Sequence, residues 1–209
     1  MINPVSRLGM GAMRLPLTED GGPINEKKAR ELIEHAHAGG INYFDTAYFY
    51  HAGNSERVLG LGLKTFPRNS WHIANKMPGN MMRYENGKLV LAGFNMADKI
   101  IGGCAEVFEH QLEQCGVDYF DFYLLHNVSE TTFDIYTDEK LDIMGYLLEQ
   151  KKAGRIRHLG FSTHGRAETI GVFLELQREH GRLDAIKFAM IQLNHHHLKA
   201  VGWYTTEVV

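Results

Sequence analysis

The chain has 209 residues, 44% of them hydrophobic, and a formal net charge of −3. That composition suits one globular domain with a real core. The charges are dispersed, so no basic stripe points to nucleic acid and no polybasic cluster to a membrane surface. No apolar run reaches the roughly 18 residues of a membrane span. The start, Met1 to Arg7, lacks the apolar core of a signal peptide, and a cytoplasmic protein is the default expectation.

Leu8 to Met13 reads as a first strand whose glycines allow close backbone approach. Asn25 is placed to cap a helix whose apolar stripe runs through Ala29, Leu32, Ile33 and Ala36 and stops at Gly39-Gly40. A second strand covers Ile41 to Asp45. Asn54 or Ser55 then caps a second helix, and Trp71 to Lys76 forms a third strand. Pro78 to Asn95 is irregular. Its Asn86-Gly87 pair signals a hairpin turn, followed by Leu89, Val90 and Leu91, and the segment reads as a loop excursion on the site side of the fold. Ala97 to Cys115 reads as one long helix with Ile100, Ile101, Cys104, Phe108, Leu112 and Cys115 on its apolar face. Cys104 and Cys115 would lie about three turns apart, roughly 16 Å, which excludes a disulfide between them. They read as small buried apolar residues.

Asp121 to His126 forms the fourth strand. A helix from about Glu139 to Lys152, ended by Gly154, leads to a fifth strand over Ile156 to Ser162. A helix over Arg166 to His180 precedes a sixth strand over Ile186 to Leu193. Strands alternating with helices argue for a parallel sheet. The rival, an open doubly wound sheet, normally carries a Gly-rich phosphate loop after its first strand. Here Gly9-Met10-Gly11 offers only Gly-x-Gly, with about a dozen residues before the helix.

Asp45, Lys76 and His126 each end an apolar strand, and Tyr50 follows Asp45 closely. In an α/β barrel, strand C-terminal ends carry the chemistry. A lysine ammonium beside a tyrosine stabilises the phenolate and lowers a pKa that is ordinarily near 10. A carboxylate beside the lysine fixes its position. Lysine, tyrosine and histidine together could protonate or steady an alkoxide formed from a carbonyl, and no metal is required.

Three segments carry a family resemblance. Phe44-Asp45-Thr46-Ala47-Tyr48-Phe49-Tyr50 with Asn54-Ser55-Glu56 is similar to a signature of aldo-keto reductases. So is Gly116-Val117-Asp118-Tyr119-Phe120-Asp121 leading to Leu124-Leu125-His126, and so is Gly154 to Ser162. The chain most resembles a bacterial branch whose members often carry a ferredoxin-like extension. The resemblance spans roughly residues 5 to 194 and implies a (β/α)8 barrel that reduces aldehydes or ketones with NADPH. On it, Tyr50 is the general acid, Asp45 and Lys76 tune it, and His126 orients the carbonyl. Ser162 and Gln192 would hold the nicotinamide carboxamide, with Asn194 nearby. Thr163 stands where many relatives carry asparagine. Tyr48, Phe49, His51, Met77, Met81 and Met82 would line the substrate side.

The barrel typically takes about 250 residues. The expectation is therefore an incomplete (β/α)8 barrel, a single domain over 1–209 with about six strand–helix units, the last two missing, and a divergent tail at 195–209. The aromatic that stacks on nicotinamide and the basic residues that grip its phosphates have no counterpart here. Open strand edges invite association, so a homo-oligomer is expected, joined through those edges or the tail. His195-His196-His197 reads as pocket or surface histidines, not as a metal site. The rival reading is a non-catalytic barrel fragment, binding or regulatory, with weak or no cofactor binding.

Overall fold

The computed structural model describes residues 4–93 and 96–191. Six strands pair in parallel in chain order: β1 (Gly9–Gly11), β2 (Tyr43–Asp45), β3 (His72–Met77), β7 (Phe120–Leu125), β8 (Ile156–Thr163) and β9 (Ile186–Ile191). A doubly wound sheet reverses its strand order at a switch point. This one does not, and it curls into a partial α/β barrel. Between β3 and β7 lies a separate antiparallel sheet of β4 (Met82–Glu85), β5 (Lys88–Gly93) and β6 (Met96–Ile100).

The helices are α1 (Glu26–Ala38), α2 (Ser55–Leu63), α3 (Cys104–Cys115), the short α4 (Phe133–Thr137), α5 (Ile143–Lys152) and α6 (Ala167–Glu179). Asn25 caps α1 as expected, its side chain accepting from the Lys28 N–H at 3.1 Å. Ala29, Ile33 and Ala36 are buried, but Leu32 of the expected stripe is exposed. Gly40, at φ 92°, turns the chain out of the helix in a conformation glycine favours. Asn86 (φ 49°) and Gly87 (φ 75°) form the tight turn between β4 and β5.

The helix expected from Ala97 starts only at Cys104. Met96–Ile100 instead pairs with β5, Val90 opposite Ile100, and the Ile100 side chain is exposed. Gly102-Gly103 separates the two elements, and Gly103 at φ 146° has a backbone no helix continues through. The helix expected from Glu139 begins at Ile143. Asp142, at φ 38°, breaks the run and caps α5 by accepting from the Gly145 N–H at 3.1 Å. Both cysteines are buried and unpaired on α3.

Strand alternation sorts the side chains. Asp45 registers with Ala74, Lys76 with Leu124, Leu124 with Gly160, and Ser162 with Met190. These residues share the inner face with a small apolar cluster of Ala74, Phe122 and Leu124, flanked by Tyr43, Phe188 and Met190. The opposite faces meet the helices in the main core, built on Phe44, Ile73, Tyr123, Leu125, Leu159 and Phe161.

Candidate active site

Asp45 closes β2 and Lys76 sits one residue before the end of β3. The Lys76 ammonium donates to Asp45 Oδ1 at 2.6 Å and to the Thr46 carbonyl at 2.7 Å, and the lysine is almost wholly buried. A charge there is tolerable because both contacts satisfy it. Burial pushes the Asp45 carboxyl above its usual range, and the lysine charge and hydrogen bond oppose this. Asp45 Oδ2 is buried and has no hydrogen-bond partner among the described residues.

Tyr50 stands on the turn after β2. Its backbone N–H bonds the Ala47 carbonyl at 3.1 Å, and its own carbonyl accepts from Ser55 at 3.2 Å. His51 (φ 53°), Ala52 (φ 52°) and Gly53 (φ 86°) follow, three left-handed residues in a row. Two of them are not glycine, a strain held by surrounding contacts. One such contact is the Leu15 N–H bond to His51 Nε2 at 2.9 Å. Lys76 Nζ lies 5.1 Å from the Tyr50 ring centroid. The ammonium and its hydrogen bond pull the phenol pKa down, yet burial is the larger influence and leaves it above its ordinary value. The expected net lowering is thus reversed, because desolvation of the phenolate outweighs the lysine.

His126 follows β7, its ring stacked on Phe49 at 4.9 Å and edge-on to Tyr50 at 6.1 Å. Burial first, then the Lys76 charge, push its pKa well below the usual value, so it is neutral near pH 7. Its Nδ1 is buried without a partner among the described residues. Four of the seven residues singled out in the sequence thus come together. Ser162 lies on β8, its hydroxyl accepting from the Asn127 N–H at 2.9 Å. The Thr163 hydroxyl donates to the Val128 carbonyl at 2.6 Å. Gln192 and Asn194 lie outside the described residues. Tyr48, Met77, Met81 and Met82 pack into the main core and do not line an open substrate surface.

Several residues at the site were given no role in the sequence reading. Glu56, Asn75, Gln111 and Tyr123 form a buried polar cluster on the helix side of β3. The Tyr136 hydroxyl reaches the His126 carbonyl at 2.5 Å and the Met77 carbonyl at 3.1 Å, tying the ends of β7 and β3. The available signal was a polar side chain at an apolar-pattern position. Asn75 stands mid-strand, and Gln111 sits one turn from Val107 and Cys115. Among the described residues, no group of three or more His, Cys, Asp or Glu is arranged to hold a metal.

A parallel α/β barrel segment with a lysine, carboxylate, tyrosine and histidine at its strand ends defines a class of barrel proteins with strand-end sites. The aldo/keto reductase family model matches residues 7–202, and the chain belongs to that family. It is 29% identical over 160 residues to an L-galactose dehydrogenase of Arabidopsis thaliana, covering 76% of this chain and 44% of the relative. It is 28% identical over 190 residues to an NADH-specific methylglyoxal reductase of Escherichia coli, covering 88% and 54%. A solved aldo-keto reductase from Bacillus halodurans, in its holo form, superposes with a TM-score of 0.64 at 30% identity, covering 90% of this chain and 54% of that one. The chain therefore spans about half the length of these relatives.

Proposed function

We propose that this chain carries the proton-transfer half of a carbonyl reductase that works with a nicotinamide dinucleotide. The observation that carries the reading is one buried ammonium, Lys76, hydrogen-bonded to Asp45 and 5.1 Å from the centre of the Tyr50 ring, beside a neutral His126. When bound, a reduced nicotinamide supplies the hydride to the carbonyl carbon. Tyr50, protonated at neutral pH, gives its phenolic proton to the carbonyl oxygen. Lys76 stabilises the phenolate left behind, and Asp45 holds the ammonium in reach. His126 offers a neutral N–H that orients the oxygen.

The residues present fit such a cofactor in part. The Ser162 hydroxyl accepts one bond from Asn127, and its own proton makes only a 3.5 Å contact with the Leu125 carbonyl. That proton is free to meet a carboxamide oxygen, with Gln192 and Asn194 as the proposed companions. Thr163 is committed to its own loop and is no substitute for asparagine there. NADPH is the proposed donor from the family resemblance, small aldehydes or ketones the proposed substrates, and the cytoplasm the proposed compartment. The name of the Escherichia coli relative makes NADH the donor to compare.

The test is oxidation of NADPH, and separately of NADH, by a reactive aldehyde, followed by nucleotide fluorescence. Tyr50→Phe is expected to lower turnover at least a hundredfold. Absence of binding at millimolar nucleotide overturns the reading and leaves a barrel fragment that binds or regulates without catalysis.

A further inference from the structure

The polar cluster behind β3 has no part in the chemistry just described, yet every member of it touches the backbone or the neighbours of Lys76. Glu56, on the first turn of α2, is 1% exposed. Its Oε1 accepts from Asn75 Nδ2 at 2.7 Å and from Gln111 Nε2 at 2.8 Å. Asn75 Oδ1 accepts from the Lys76 N–H at 2.8 Å. Gln111 Nε2 also reaches Asn75 Oδ1 at 2.9 Å and the Lys76 carbonyl at 3.1 Å. The Tyr123 hydroxyl, from β7, donates to Gln111 Oε1 and fixes which way that amide faces.

Gln111 has two amide protons and three acceptors around them. Glu56 therefore draws a Gln111 proton that Asn75 Oδ1 and the Lys76 carbonyl would otherwise divide between them, and its loss would re-aim the amide. The Asn75 amide would also be left buried with only the Cys115 sulfur, 3.6 Å away. A shift of the Lys76 peptide planes would be felt at Nζ, because its contacts of 2.6 and 2.7 Å to Asp45 and the Thr46 carbonyl are short and the side chain is buried.

We propose that Glu56 is a positioning residue for Lys76: acting through Asn75 and Gln111, it clamps the peptide groups on both sides of the lysine and so sets where Nζ stands between Asp45 and Tyr50. The inference rests on the carbonyl-reductase reading only for its consequence in turnover. The clamp itself is a statement about the free protein. Charge supports it as well as geometry. Burial pushes the Glu56 carboxyl up to about 7, while Asn75, Gln111 and the Lys76 charge hold it down, so the two groups sense each other across the strand.

The experiment reads the Lys76 ammonium directly. A buried, hydrogen-bonded lysine ammonium exchanges its protons slowly enough for 15N–1H NMR. The signal is assigned by its loss in Lys76→Met. Glu56→Gln keeps the acceptor oxygen and is expected to keep the exchange rate within threefold. Glu56→Leu removes it and is expected to speed exchange at least tenfold. Gln111→Met, of similar volume, is expected to do the same, which covers the case of Glu56→Leu failing to fold. Exchange unchanged within twofold in a folded Glu56→Leu or Gln111→Met protein overturns the proposal. Where turnover is measurable, kcat should fall about tenfold in the leucine variant with KM unchanged, and Glu56→Gln should restore it. A wild-type protein without turnover would defeat the enzymatic reading, while the exchange rates would still decide the clamp.

Discussion

Glu56 and His126 are both buried and both neutral over much of the pH range, and they push stability in opposite directions. Glu56 is raised to about 7. Between its unfolded value of 4.5 and that pKa, the folded chain holds a proton that the unfolded chain has released. Its contribution is therefore full below about pH 4.5 and is lost as pH rises toward 7. His126 is lowered. Below pH 6.5 the unfolded chain binds the extra proton, so its contribution is lost as pH falls. Glu56→Gln should remove the first effect alone. Urea denaturation of the variant is expected to show it gaining on wild type as pH rises from 4.5 to 7, by about 3 kcal/mol at one proton over that window. A constant difference across those pH values would contradict this. Asp45, Lys76 and His126 were legible because each breaks an apolar strand pattern at its end, and Tyr50 because it follows Asp45 in the motif that carries the family resemblance. Glu56 stood in the same motif, but its burial was not legible, since it sits in a first helix turn where acids are ordinary, and only the tertiary contact with Asn75 and Gln111 removes it from water.

At the level of elements, α2 and α3 approach so closely that a side chain at Gly60 has no room. A Cβ there would lie 2.3 Å from the Cys115 carbonyl oxygen and 2.7 Å from its carbon. Alanine favours a helix over glycine by about 1 kcal/mol, but overpacking against rigid backbone costs about 1–3 kcal/mol or more. The clash wins, and Gly60→Ala is expected to destabilise the protein by about 2 kcal/mol, read as a lower urea midpoint. The same helix shows what local sequence could and could not reveal. Its start was read from Asn54 or Ser55, while its buried face of Val58, Leu59 and Leu63 is a finding of the structure. The stretch Met96 to Ile101 offered apolar residues at helical spacing, but β5 supplied a pairing edge and Gly102-Gly103 a break. Strand pairing is a long-range choice, and local pattern does not contain it. The Tyr136 bridge was hidden for the same reason, since α4 is too short to leave a stripe.

For the molecule as a whole, a parallel sheet followed from the alternation of strands and helices, while the barrel order of its six strands was implied by the family resemblance. Among the described residues, β1 bonds only to β2 and β9 only to β8. The inner face near β9 exposes Phe188 and Met190 partly. Parallel sheets with uncovered edges tend to associate, which supports the proposed homo-oligomer. Sedimentation velocity at micromolar concentration is expected to show a dimer or larger species, and a well-folded monomer there would refute it. The strand order has another consequence. Every strand of the barrel wall after the first pairs with the one made immediately before it in that wall, so a chain leaving the ribosome finds that partner already synthesised. At about 5–20 residues per second, the stretch from Asp45 to His126 takes on the order of ten seconds to emerge. The lysine–carboxylate pair can close before the histidine exists, so the strand-end residues can come together in the order in which they are translated.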